Sequence, residues 1–297
     1  MNTVLILIKR NIKLFFKDKG MFFTSLITPA ILLVLYITFL GNVYRDSFEM
    51  NMPQGVKLSQ ELMNGLVGGQ LISSLLAVSC ITVAFCSNFL MVQDRANKTI
   101  KDLRISPVKA SVLSLSYYVA TLASTLIICF ASTALCLVYM AVIGWYMSLG
   151  DVLFLLLDVI LLVFFGTALS SVINFFLSSQ GQISAVGTII SAGYGFICGA
   201  YMPISSFGSG LQKVIAFLPG TYGTSLVRTH AMQGALAEME RQGIPSAVVN
   251  SLKDAVDCNV YFFGDKVSVP TMYLILGGSI VVLVAAYVIM NSMRKRI

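Results

Sequence analysis

The residues able to do chemistry are few, and the densest set lies in Gln93–Val108. There Asp94, Arg95, Lys98, Lys101, Asp102 and Arg104 interleave with Thr99, Ile100 and Leu103. Ile100 and Leu103 are spaced i, i+3 and would share one helical face. Ser106-Pro107 closes the run, because the residue before proline avoids helical geometry. A short charged helix with two apolar anchors, held between long apolar runs, suits docking in a groove on another protein. The alternative is a solvated connector. Asp158 stands inside an apolar run, where a carboxylate is costly and is by default functional or paired. No other ionisable residue is expected at its depth, which argues against a proton relay. His230, in Arg228-Thr229-His230, reads as a surface or loop-packing residue.

The missing chemistry is equally informative. A single histidine cannot supply a two-His metal site. No Gly-x-x-x-x-Gly-Lys-Ser/Thr loop is present to cradle ATP phosphates, and no His-Glu-x-x-His occurs. Gly208-Ser209-Gly210 faintly suggests a serine protease, yet that chemistry needs Ser and His on packed membrane helices. Cys80, Cys86, Cys129, Cys136 and Cys198 fall in apolar runs as small filler. Cys258 has no evident disulfide partner, and no Cys-x-x-Cys pair occurs. No catalytic residues and no metal site are expected.

The elements that position these residues are membrane helices. Of 297 residues, 57% are apolar and only 11% charged, against roughly 25% charged in a soluble domain; the mean hydropathy is +0.85. Six runs are long enough to span a bilayer: Met21–Gly41, Leu66–Val92, Ser111–Ile143, Val152–Leu177, Ile183–Met202 and Thr271–Met290. They are continuous rather than alternating, which selects helices over a barrel. The expected fold is an all-α integral membrane protein with six transmembrane helices. Every Lys and Arg falls outside them, and the basic residues concentrate at the two ends and in the inner loop 93–110. The positive-inside rule therefore places both termini in the cytoplasm of a bacterial-type plasma membrane. The net charge of +7 is mostly this bias and gives no reason to invoke nucleic acid.

Two further elements frame the spans. Residues 1–20 read as an amphipathic interfacial helix, with Val4, Leu5, Ile8, Ile12, Phe15 and Phe16 on one face and Lys9, Arg10, Lys13 and Lys17 beside it. Such a helix lies against membrane lipid with its cations near anionic headgroups. A signal peptide fits poorly, since charges interrupt the apolar run. The spans and their loops make up a second unit, residues 21–297. The outer segment 203–269 begins with an apolar, proline-bounded stretch, Pro203–Pro219, that reads as a re-entrant helical hairpin. Ser225–Val256 then reads as two short exposed helices broken at Gly243-Ile244-Pro245. In the fifth span Gly195-x-x-x-Gly199 is a close-approach motif, suited to a dimer interface or to packing within the chain. Phe85, Asn88, Asn174 and Tyr194 are the polar or aromatic span residues best suited to a translocation path.

With these residues in view, the sequence resembles the type-2 exporter permeases of the ATP-binding-cassette (ABC) transporters. Their first inner loop reads acidic-Arg-Glu-x-Gly-Thr-x-x-x-Leu-x-x-Ser/Thr-Pro-Val, matched by Asp94, Arg95, Thr99, Leu103, Ser106, Pro107 and Val108. Ala96 replaces the usual Glu and Lys98 the usual Gly. Leu218-Pro219-Gly220-Thr221-Tyr222 resembles the family's Leu-Pro-x-Thr-Tyr after the hairpin. The resemblance implies a non-catalytic permease working as a pair with a second copy or close homologue, on two cytoplasmic ATPase subunits that hold ATP and Mg2+. It implies that the loop around Asp94–Arg104 and the N-terminal helix sit on the ATPase. It also implies that spans two and five line the path, and that spans one and five meet across the dimer. An amphipathic or hydrophobic drug, peptide or lipid-like cargo is expected. An ion-coupled carrier is disfavoured by spans nearly free of ionisable groups and by the lack of an inverted repeat. An intramembrane enzyme is disfavoured by the lack of a paired nucleophile and base.

Overall fold

The structure is a computed structural model that describes residues 3–50, 52, 58–100 and 108–293. Asp102, Leu103, Arg104, Ser106 and Pro107 of the inner loop lie outside the described residues. Eleven helices are described here. In order they are α1 (Thr3–Lys17), α2 (Lys19–Leu35), α3 (Gly41–Met50), α4 (Gln60–Ala96), α5 (Ala110–Ile143), α6 (Leu149–Phe175) and α7 (Gln180–Ile197), followed by α8 (Ser209–Ala216), α9 (Pro219–Arg241), α10 (Ser246–Ala255) and α11 (Val269–Met293). A π-helical turn, Tyr36–Leu40, joins α2 to α3, and an antiparallel hairpin pairs β1 (Tyr261–Phe262) with β2 (Asp265–Lys266).

Among the described residues, five helical stretches are long and apolar enough to cross a membrane: Lys19–Met50, α4, α5, α6 and α11. The protein is a multi-pass membrane protein. The expected fifth span is the 18-residue α7, about 27 Å long at 1.5 Å per residue; its glycines and polar first turn make it less apolar than the others. The first span runs further than expected, because the π turn carries the helix on into α3. Tyr36 and Tyr44 stack there at 5.9 Å, and Arg45 donates to Gln60 Oε1 at 3.1 Å and Asn64 Oδ1 at 2.8 Å.

Local sequence explains the helix starts. Ser148 and Asp151 form a reciprocal capping box at the head of α6, which accounts for Asp151. Ser179 and Gln182 do the same for α7, and Pro219 opens α9 at the position where its missing N–H costs nothing. Helix α4 is the hub, buried along most of its length and packed on α2, α5, α6, α7 and α9. Gly166 lets α6 approach it: a Cβ there would lie 2.9 Å from the Cys80 carbonyl oxygen.

The segment after Pro219 departs from expectation. The chain does break at Gly243-Ile244-Pro245, between α9 and α10, but α9 is a 23-residue helix rather than a short exposed one. Gly220 to Arg228 are all buried, packed among α4, α6 and α11. Its Ser, Thr, Arg and His content resembles a solvated loop, whereas Thr221, Thr224, Ser225 and His230 and both terminal nitrogens of Arg228 find hydrogen-bond partners inside the protein. The six cysteines are free and buried.

Candidate functional site

At one end of the bundle, four elements meet through two charged residues of the expected coupling segment. The Asp94 carboxylate closes α4 against α1 and α5: Arg10 Nη1 donates to Oδ2 at 2.8 Å and Nη2 to Oδ1 at 3.3 Å, and the Tyr117 hydroxyl donates to Oδ2 at 2.5 Å. Arg95 reaches the end of α6, donating to the carbonyls of Asn174, Phe175 and Leu177 at 3.0, 2.7 and 3.0 Å. A cation on the carbonyls at the end of a helix complements its C-terminus. Asp94 and Arg95 thus bind the body of the protein itself. Beyond them Lys98 takes φ 63°, in the left-handed region that glycine favours, and this is the position at which the resembled loop pattern has glycine. Thr99 and Ile100 are half-buried, Ile100 against the core.

Arg10 therefore does not belong with Lys9, Lys13 and Lys17, which are exposed. The face of α1 that packs on α5 carries Leu7, Asn11 and Phe15, offset from the stripe read in the sequence and leaving Leu5 and Phe16 exposed. The polar node causes the offset, since Arg10 Nη1 also donates to Asn11 Oδ1 at 2.8 Å and draws that face inward.

A groove of about 1330 Å³ opens between α2 and α7, floored by α4. It runs from Asp18 and Gly20 at one end to Ser206 and Ala255 at the other. Its wall is mostly apolar, with Thr24, Thr28, Ser184, Thr188 and Ser191 along its length and Cys86, Phe89 and Gln93 from α4. None of the four expected path residues lines it. Phe85 and Asn174 are buried, and Asn88 turns to α6, donating to Ser170 Oγ at 3.0 Å and Ser171 Oγ at 2.9 Å. Tyr194 is buried against Gly220. Gly195 and Gly199 are occupied within the chain. The Tyr201 ring packs directly on Gly195. Gly199 takes φ 73° and its carbonyl accepts from Arg228 at 2.6 Å. Two glycines of α7 are open, Gly181 in its first turn and Gly193 further along, where an added Cβ meets nothing within 4 Å.

A profile of the ABC-2 type transporter family matches residues 2–231, more than three-quarters of the chain. The chain belongs to that family. An ABC-2 protein is a membrane transport component with no catalytic function of its own, and its family implies partnership with an ABC ATPase subunit. No curated protein matches the sequence. The matched stretch of the ABC-2 permease contains the Asp94 node, the groove helices and the buried head of α9.

Two polar clusters in the permease were not legible as such. Arg228, fully buried, donates to the Val256 carbonyl at 2.8 Å, Asp257 Oδ2 at 3.3 Å, Ser74 Oγ at 3.4 Å and the Gly199 carbonyl at 2.6 Å. It fastens α9 to α4, to the end of α7 and to the turn after α10. Burial pushes the Asp257 carboxyl up to about 6, opposed by the nearby Arg228 guanidinium. In the second cluster Asp158 of α6 meets His230 of α9 and Tyr273 of α11, each 2.6 Å from one carboxylate oxygen. The residue read as a loop histidine is thus the partner of the intramembrane acid. Asp158 alone carried a signal, as a carboxylate in an apolar run.

Proposed function

We propose that this protein is the permease of an ATP-driven exporter that works as a pair, with two cytoplasmic ATPase subunits holding ATP and Mg2+. The observation that supports this reading best is the open groove on the α2–α4–α7 face of a chain in the ABC-2 family. A second copy or close homologue placed on that face would turn two half-grooves into one enclosed path. The dimer contact would run through the open side of α7 at Gly193, beside the Gly195–Gly199 turn. Apolar walls carrying scattered hydroxyls suit an amphipathic or hydrophobic cargo: a drug, a peptide or a lipid-like molecule.

In this reading α7 is the fifth of six membrane-crossing helices, and Pro203–Pro219 with α8 is the re-entrant hairpin. Both termini and the Asp94 node are cytoplasmic, in a bacterial-type plasma membrane. Lys9, Lys13 and Lys17 face headgroups or the ATPase. Asp94, Arg95, Lys98, Thr99, Ile100, Asp102, Leu103 and Arg104 form the coupling segment. Its root at Asp94 and Arg95 is tied to α1, α5 and α6, so a push on the segment moves four helices together. The cycle is a two-state equilibrium biased by nucleotide affinity in the partner. An ion-coupled carrier would need its titrating groups on the path, and Asp158 does not line the groove. The test is Leu103→Asp, a charge on the apolar anchor. It abolishes co-purification with the ATPase while membrane insertion is unchanged; undiminished co-purification would remove this loop from the coupling role.

A further inference from the structure

The cluster of Asp158, His230 and Tyr273 has no part in the groove or in the coupling segment, yet it places a carboxylate inside a membrane helix. Asp158 is nine residues into α6 from Leu149, about 14 Å along the axis, and its side chain is 0% exposed. Tyr273 of α11 donates to Oδ1 and His230 Nδ1 of α9 meets Oδ2, both at 2.6 Å. With the carboxylate ionised, Nδ1 carries the imidazole proton, and the second nitrogen, Nε2, is left to take another. The Phe154 ring, one turn before Asp158, stacks on the imidazole at 5.1 Å and 16°. The His230 side chain keeps 12% exposure, whereas Asp158 is fully enclosed.

Charge counting decides what this arrangement can hold. A carboxylate, a neutral imidazole and a phenol together carry one negative charge in a medium where an uncompensated charge is costly. Arg228 precedes His230 by two residues, 200° around the helix, and is held by Asp257 and Ser74. The titratable group that meets His230 is Asp158 from α6, which in turn accepts from Tyr273 of α11. Toward α9, α4 presents Ser74 and the turn after α10 presents Asp257, both to Arg228. One added proton makes the trio neutral, as imidazolium with carboxylate or as imidazole with carboxylic acid.

We propose that Asp158, His230 and Tyr273 form a proton-binding site in the membrane body, whose filling holds α9 and α11 against α6. The proton comes from water and enters at His230 Nε2, and no other bond is made or broken. With the proton bound, Asp158 joins three helices through a neutral cluster. Without it, the same contacts enclose a net charge and loosen. The site's contribution to stability is therefore present at acidic pH and lost as pH rises, independently of the cargo.

The test uses the full chain in nanodiscs. His230 is the sole histidine, so 15N-histidine labelling gives one imidazole whose two nitrogens report its protonation directly. The expected result is that this imidazole gains a proton as the pH of the sample is lowered, with thermal stability rising over the same interval. The folding equilibrium then changes by up to about tenfold per pH unit for one linked proton. Asp158→Asn and His230→Gln each remove that slope, whereas Tyr273→Phe, which keeps both titrating groups, retains it. Any contribution of Asp257 is common to all four chains and cancels in the comparison. An imidazole whose protonation is unchanged over the interval would overturn the proposal, as would an Asp158→Asn chain that keeps the full slope. If neither substituted chain folds, the wild-type spectrum decides alone.

Discussion

Among the described residues Arg228 is the largest side chain fully buried, and it survives there because four acceptors from three directions meet it. Asp257 is the one anionic group among them, and it sets a pH dependence. Its carboxyl is pushed up to about 6 by burial, from an ordinary value of about 3.9. Between those values the folded chain keeps a proton that the unfolded chain has lost, so stability falls as pH rises through that window. Arg228→Met removes the guanidinium that opposes the rise, and the window then extends upward beyond 6. Loss of one partner also leaves a buried carboxylate unpaired, at a cost of about 3–5 kcal/mol near neutral pH. Thermal unfolding of the two chains across pH measures both effects; an unchanged window would show that Arg228 does not act on Asp257. Lys98 is the opposite case, a residue in backbone geometry better suited to glycine.

Close packing within the chain and open packing on α7 make contrasting demands on glycine. Gly166→Ala places a methyl group against Cys80, Ile81 and Ala84 of α4, and overpacking of this kind costs about 1–3 kcal/mol, measurable as a lower unfolding temperature. Gly193→Ala adds a Cβ that meets nothing within 4 Å in its own chain, so it does not lower that temperature while weakening association of two copies in cross-linking. Equal cross-linking would move the dimer contact off this face of α7. The same contrast explains what was legible in the sequence. Helices α4, α5, α6 and α11 announce themselves as unbroken apolar runs. Helix α9 does not, because Thr221, Thr224, Ser225, Arg228 and His230 look solvated until their partners are known. The partners of Arg228 and His230 include remote ones, Asp158 lying 72 residues from His230 and Ser74 lying 154 from Arg228. Nor does polarity alone say which way a side chain points: Asn88 donates to Ser170 and Ser171 of α6.

Taken whole, the molecule is a helical body organised around α4, with a charged node at one end and a buried arginine staple toward the other. Between them lies a groove with one side missing. In the proposed reading the groove holds cargo and the node takes up the push of a separate motor; the sequence has no phosphate-cradling loop of its own. The central claim is that transport through this body is driven by ATP hydrolysed in a separate subunit. The most direct test is reconstitution of the full chain into liposomes, with and without its ATPase, followed by nucleotide-dependent efflux of a fluorescent amphiphile. The account predicts efflux only when both subunits and ATP with Mg2+ are present, and none with an ATPase unable to hydrolyse. Efflux by the chain alone, without nucleotide, would contradict it.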